Sequence, residues 1–199
     1  MKDNSKSVRT MVTVGLMAAL VFIFTYIRIE IPISITGGKT MLHLGNVMCI
    51  LSALLFGKWK GGLAAGFGSM FFDLFDPLYL PECWVTFIMK FCLAFIVGLV
   101  AYGIDRKNGA EKKKPSNFRI AVGAVVGAFS YVVLYVSKTF IVDRLIMGYE
   151  PEVVYATMIT KGSVSLINAT IAAVASLLLL SAIRPALKKS ELADKLGVM

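Results

Sequence analysis

The chain has 199 residues, of which 57% are hydrophobic and 17% charged, with a formal net charge of +9 and a mean hydropathy of +0.76. This is more apolar surface than a soluble core of that size buries, which excludes a water-soluble globular domain and makes lipid the solvent. The basic residues flank apolar segments and form no aromatic-interleaved stripe, so they fit attraction to anionic inner-leaflet lipid and not nucleic acid.

The first apolar segment, 11–27, follows Lys2, Lys6 and Arg9. Its basic flank is like that of a signal peptide, but it runs into Phe22, Phe24, Tyr26 and Ile27 without a small-residue cleavage pattern, so it is expected to be retained as a helix. Residues 28–43 contain Pro32, Gly37 and Gly38 and alternate Ile29, Ile31, Ile33 and Ile35 with other residues, which predicts an extended or hairpin-like loop. Segments 44–56 and 61–75 fall short of the roughly 20 residues a crossing helix needs. The turn Gly57-Lys58-Trp59-Lys60-Gly61 is expected to join them as a tight helical hairpin, with Trp59 as an interfacial anchor.

A short proline-stiffened connection, 76–82, leads to segment 84–102, which carries Lys90. Residues 105–117 read as a charged linker that divides four helices from two without making separate domains. Segment 120–142 carries Tyr131, Tyr135 and Lys138, and segment 164–183 carries Ser165 and Asn168. Between them, 143–158 ends in an apolar run from Val153 that reads either as a surface turn or as an early start to the last helix.

The fold class is therefore an all-α membrane protein, a single domain over 1–199 with six transmembrane helices. Fifteen of the 21 Lys and Arg residues lie in alternate gaps between segments, whereas the other gaps hold only Arg28, Lys39 and Arg144. Cationic loops resist translocation, so both termini and the 105–117 linker are expected in the cytoplasm, and the plasma membrane is the expected location. Small residues recur four apart at Gly15/Ala19, Gly62/Gly66, Ala64/Gly68, Gly123/Gly127 and Ala169/Ala173. Each pair fits helix packing within the chain or a docking face for another protein.

Several chemistries are absent. Gly38-Lys39-Thr40 resembles the end of a phosphate-binding loop, but the position five before Gly38 is Ile33, so the pattern fails. Gly66-Phe67-Gly68-Ser69 superficially suggests an intramembrane serine protease, yet the single histidine, His43, is expected on the outer side, away from Ser69. The three cysteines have no CxxC spacing, and no metal-ligand pattern exists, so no metal or cofactor is expected.

Polar residues converge instead in the outer half of the membrane. Lys90 lies roughly 9 Å inward of Trp84 at a helical rise of about 1.5 Å per residue, and Lys138 and Lys161 lie near the outer ends of the last two helices. A lysine at the bilayer centre costs about 2.5 to 3.5 kcal/mol and less near an end, where it snorkels. Lys90 is expected either to pair with Asp73 on the preceding helix or to meet a ligand. His43 and Glu82 read as solvated loop residues.

The stretch from His43 through Leu44-Gly45-Asn46 to Ala53-Leu54-Leu55-Phe56-Gly57, then Gly61-Gly62, Gly66, Gly68-Ser69 and Asp73-Leu74, resembles a substrate-binding S component of an energy-coupling-factor vitamin transporter, in the riboflavin-type family in the broad sense. The resemblance implies a six-helix protein that is not an enzyme. Such a protein captures a vitamin or precursor outside and associates with a transmembrane coupling protein and two cytoplasmic ATPases. It implies that Gly15 and Ala19 stand where the family has a small-residue docking motif, and that Lys90, Tyr135, Lys138, Lys161 and Asn168, with Asp73 nearby, meet the substrate. The family's usual Asp after the Leu-Gly of the second helix is Asn46 here, and riboflavin in particular does not follow. An autonomous proton-coupled carrier or intramembrane enzyme is the alternative, but no internal repeat and no nucleophile with its base are visible.

The topology is testable by cysteine labelling. A cysteine at Asn108 should react with an impermeant reagent only after lysis; labelling in intact cells would invert or break the assignment.

Overall fold

A computed structural model describes residues 2–103 and 115–189, with side chains from 8 to 103 and from 115 to 187. The expected linker therefore lies outside the described residues up to 114, with Arg106, Lys107, Lys112, Lys113 and Lys114, as does Lys195. The elements are α1 (Lys2–Tyr26), a hairpin of β1 (Arg28–Ile33) and β2 (Gly38–His43), α2 (Gly45–Leu74), α3 (Cys83–Tyr102), α4 (Asn117–Phe140) and α5 (Pro151–Lys189). All five long helices are long and apolar enough to cross a membrane.

α2 is a continuous run broken at one residue. Gly57 adopts φ 78° and ψ −179°, a left-handed φ that glycine takes without a Cβ clash. The chain doubles back there: a Cβ on Gly61 would lie 2.6 Å from Ala53 N, although residues eight apart stand about 12 Å apart in an unbroken helix. The Ser52 hydroxyl joins the arms by reaching Gly61 O at 3.1 Å. The helical hairpin expected from the sequence is present, but its turn is narrower than 57–61, because helical geometry resumes at Lys58. Residues 45–55 of the first arm are buried throughout, so neighbouring helices shield a segment too short to face lipid alone.

The small residues serve two different ends. Gly62 and Gly66 receive the rings of Phe91 and Phe87 of α3, where added Cβ atoms would come within 2.9 and 2.8 Å. Gly68 backs onto α1 at Val21, and Gly123 and Gly127 back onto α3. Ala64, Ala169 and Ala173 are also buried. Gly15 and Ala19 are exposed, and among the described residues nothing lies within 4 Å of a Cβ placed on Gly15. Between α3 and the second arm of α2, Phe95, Phe91 and Phe87 stack in sequence and Trp59 meets Phe95 edge to face, with ring centroids 4.9 to 6.2 Å apart.

β1 and β2 pair antiparallel from Arg28↔His43 to Ile33↔Gly38, which realises the isoleucine alternation read from the sequence. At the same end of the bundle as the hairpin, α4 runs on through a π-helical turn, Ile141–Ile146, and α5 begins at Pro151. Of the two readings of the apolar run after Val153, the early helix start is the one the structure adopts, because Pro151 opens the first turn with its φ already helical.

Close packing at Gly61 generates a stability prediction. Gly61→Ala should destabilise the protein by about 1–3 kcal/mol, the cost of overpacking, whereas Gly15→Ala should be neutral or stabilise by up to about 1 kcal/mol. Thermal unfolding in mild detergent measures both, and equal effects would contradict the backbone contact at Ala53.

Candidate functional site

The β1–β2 hairpin and the connection 76–82 roof a cavity of about 70 Å³ whose walls come from α1, α2, α3, α4 and α5. Lys90, Tyr135, Lys138, Asn168 and Asp73, five of the six expected site residues, line it; Lys161 does not. The sixth residue stands outside the walls, 3.9 Å from Asp143 Oδ2.

Lys90 is 3% exposed and lies on the buried face of α3. Its ammonium donates to Asn46 Oδ1 and stands 4.0 Å from the centroid of the Tyr131 ring. An amide dipole and an aromatic face both favour the cation without neutralising it. The expected pairing with Asp73 is thus replaced by a bond to Asn46. Asp73, 5% exposed, keeps Oδ2 without a hydrogen-bond partner among the described residues. The other lysines face carboxylates: Lys138 donates to Glu82, and Lys161 stands 3.9 Å from Asp143 Oδ2, an ion pair without a hydrogen bond. Of the three, Lys90 alone has a neutral group as its hydrogen-bond partner among the described residues.

Asn168 acts as a strand partner. Its Nδ2 donates to Met41 O at 2.8 Å and its Oδ1 accepts from His43 N at 3.0 Å, both on the edge of β2 that β1 leaves open. The amide therefore fastens the roof to α5. Tyr131 and Tyr135 stack beneath it, with centroids 5.9 Å apart and planes at 13°.

The outer side of the roof is held by charge. Lys39 Nζ bridges Glu30 at 3.1 Å and Asp76 at 2.8 Å, and Arg28 reaches Glu30 at 2.7 Å and Asp76 at 3.5 Å. Arg28 also lies over the Phe72 ring at 4.6 Å, and the Tyr79 hydroxyl donates to Lys39 O. Burial pushes the Asp76 carboxyl up, but its bonds to Lys39 and the Leu78 N–H and the charges of Lys39 and Arg28 outweigh that and hold it below the usual range. Burial pushes the Lys39 ammonium down, and its bonds to Asp76 and Glu30 more than reverse this. The cluster thus keeps its charges across the neutral range.

His43 and Glu82 are not merely solvated: both line the cavity. Burial, reinforced by the charges of Lys90 and Arg28, holds the His43 imidazole well below its ordinary pKa. The neutral ring accepts the Gly45 N–H at Nδ1, 3.1 Å away, which leaves the proton on Nε2. Ser69 also lines the cavity, but its hydroxyl contacts the Cys49 thiol at 3.9 Å, and the Nδ1 of His43 is already occupied. Asn46 was visible in the sequence as the one amide in a fully buried arm whose other polar side chain is Ser52. Its position facing Lys90 depends on the fold of α2 and carries no local signal.

The family described as "ECF-type riboflavin transporter, S component" matches residues 5–185. A curated protein of Pyrococcus woesei, described as "Uncharacterized protein in gap 3'region", is 31% identical over 115 residues, which cover 58% of this chain and 67% of that protein. A solved structure titled "Structure and mechanism of the S component of a bacterial ECF transporter" shares the fold at a TM-score of 0.63 and 18% identity, over 92% of this chain and 99% of its own.

The depressed pKa of His43 has a measurable sign. As pH falls, the unfolded chain protonates this histidine first, near 6.5, so its contribution to stability is present above that pH and is lost below it. The stability difference between the parent and His43→Gln should be constant above about pH 7.5 and shift against the parent by up to about 1.4 kcal/mol per pH unit below about 6. Chemical unfolding in detergent from pH 5 to 8 measures it, and a pH-independent difference would mean that the ring titrates alike in both states.

Proposed function

Since the chain belongs to the family of ECF-type riboflavin transporter S components, and so is a transporter subunit and not an enzyme, we propose that it captures a small water-soluble vitamin or vitamin precursor in the roofed cavity. In this reading the chain crosses the plasma membrane six times, with the two arms of α2 counted separately and both termini in the cytoplasm. The hairpin then faces outside, and the ligand passes on through a separate membrane coupling protein driven by two cytoplasmic ATPases. The alternation of basic and non-basic gaps supports this orientation.

The observation that carries the reading is Lys90, a buried ammonium on a cavity wall whose hydrogen bond goes to the neutral Asn46. A ligand that brings an anionic or strongly accepting group offsets the cost of that charge. Asp73 Oδ2, buried and unpartnered on the same cavity, is ready for a donor. Lys138 and Lys161 already face carboxylates, which leaves Lys90 as the main cationic contact. Tyr131 and Tyr135 offer ring contact, and Asn168 positions the roof. The cavity at about 70 Å³ is smaller than the several hundred Å³ of a typical ligand pocket, so binding displaces side chains or the roof.

Gly15 and Ala19 supply the face for the coupling protein. They are exposed on α1, whereas the other four small-residue pairs are consumed in packing within the chain. A smooth exposed strip lets a partner helix approach its backbone closely.

Two substitutions separate capture from delivery. The small molecule that co-purifies with the parent is identified by mass spectrometry and titrated calorimetrically. Lys90→Met should weaken it about ten- to a hundredfold, the loss of one charge-assisted bond, with Lys161→Met close to the parent. Gly15→Leu should bind ligand normally but fail to co-purify with the coupling protein. Parent-like affinity in Lys90→Met would sink the assignment of the cavity, and intact complex formation by Gly15→Leu would move the docking face elsewhere.

A further inference from the structure

A second concavity lies at the opposite end of the bundle from the roofed cavity, between the start of α4 and the last turns of α5. It has a volume of about 440 Å³. Leu177, Leu180, Ser181, Arg184 and Pro185 of α5 form one helical stripe at the spacing i, i+3, i+4, i+7, i+8, and Ile120 of α4 faces them. The walls are apolar at Ile120, Leu177 and Leu180 and become polar toward Ser181, Arg184 and Asn117. Arg184 Nη1 stands 3.3 Å from Asn117 Oδ1, and Arg119, two residues along α4, donates to Val100 O at 3.3 Å. Both guanidinium groups thus have neutral oxygens as their partners among the described residues. Lys188 and Lys189 follow in the last turn of α5.

A groove with apolar walls and a cationic rim matches an amphiphile with an acidic head. The groove is continuous with the lipid-facing surface of α5, where Val174 and Leu178 are 55% and 65% exposed. Pro185 adds a polar element of its own: lacking an N–H, it leaves the Ser181 carbonyl without its helical donor, an acceptor within the groove. We infer that this groove seats one anionic phospholipid of the leaflet at that end. An acyl chain lies over Leu177 and the exposed Leu178, above the buried Ile120 and Leu180, the phosphate meets Arg184, and a headgroup hydroxyl donates to Ser181 O. Phosphatidylglycerol combines these features, whereas phosphatidylcholine has neither the net charge nor the hydroxyl. Basic pockets between membrane helices hold acidic headgroups for the same electrostatic reason.

The test uses the full chain in mild detergent and in vesicles. Native mass spectrometry should show phosphatidylglycerol retained by the parent, and phosphatidylglycerol should raise the unfolding temperature where phosphatidylcholine does not. Arg184→Gln should weaken retention about fivefold, the effect of one cation near an anionic surface, and Arg184→Lys should restore most of it. Ser181→Phe changes an exposed residue and fills the groove without altering charge, so it should exclude the lipid while the protein unfolds at the parental temperature in neutral detergent. Equal stabilisation by the two lipids, or parental retention by both Arg184→Gln and Ser181→Phe, would overturn the inference. So would stabilisation by soluble glycerol phosphate equal to that by phosphatidylglycerol, because the groove would then hold an anion alone.

Discussion

A single ammonium group, that of Lys90, organises the outer half of the bundle. A buried cation among apolar helices is costly unless each face of the group meets something polarisable or polar. Asn46 from the first arm of α2 takes one hydrogen bond, and the Tyr131 ring of α4 covers another side. Three helices that share few other polar contacts are thereby held to one point. The remaining face opens onto a cavity, and the roof above it keeps bulk water from dissolving the arrangement. Were residue 46 an aspartate, the charge would be compensated within the protein; the amide leaves it available to a ligand.

The roof itself is fastened from two directions by different physics. On the outside, Lys39 and Arg28 bind Asp76 and Glu30 in a partly solvated cluster, where screening limits the strength of each pair. On the inside, Asn168 offers uncharged, directional bonds that salt does not weaken. Below, the glycines of α2 and α4 bring helices into backbone contact, since lipid provides no hydrophobic force to drive them together. A rigid lower bundle thus carries a separately attached upper cover.

Much of this was legible in the sequence. The helices, the short buried hairpin of α2 and the isoleucine-marked loop follow from hydropathy, length and glycine placement, because each reflects a local rule. Five of the six expected site residues reach the cavity for a simpler reason: polar groups within apolar segments have nowhere else to go. The partners were not legible. Lys90 selects Asn46 over Asp73, and Lys161 turns to Asp143, because the choice depends on how α2 folds back and where α4 ends its π-helical turn. His43 was misread for the same reason, since a loop residue is solvated only if nothing folds over it. Gly15 and Ala19 show the limit most clearly. Their spacing equals that of the buried pairs, and only the finished bundle reveals that no helix among the described residues covers them.

The hairpin also bears on how the protein behaves in a crowded membrane. A two-stranded sheet has two free edges, and an unpaired edge is a template for another chain. On β2 the open edge at Met41 and His43 is satisfied by the Asn168 amide. On β1 the residues that alternate outward are Arg28, Glu30 and Pro32, as the register with β2 requires. Pro32 has no N–H to offer, and the charged neighbours resist a flat approach. Both edges are blunted, one by an amide borrowed from a helix and one by an imino acid, so neighbouring copies have no ladder along which to zip into fibrils.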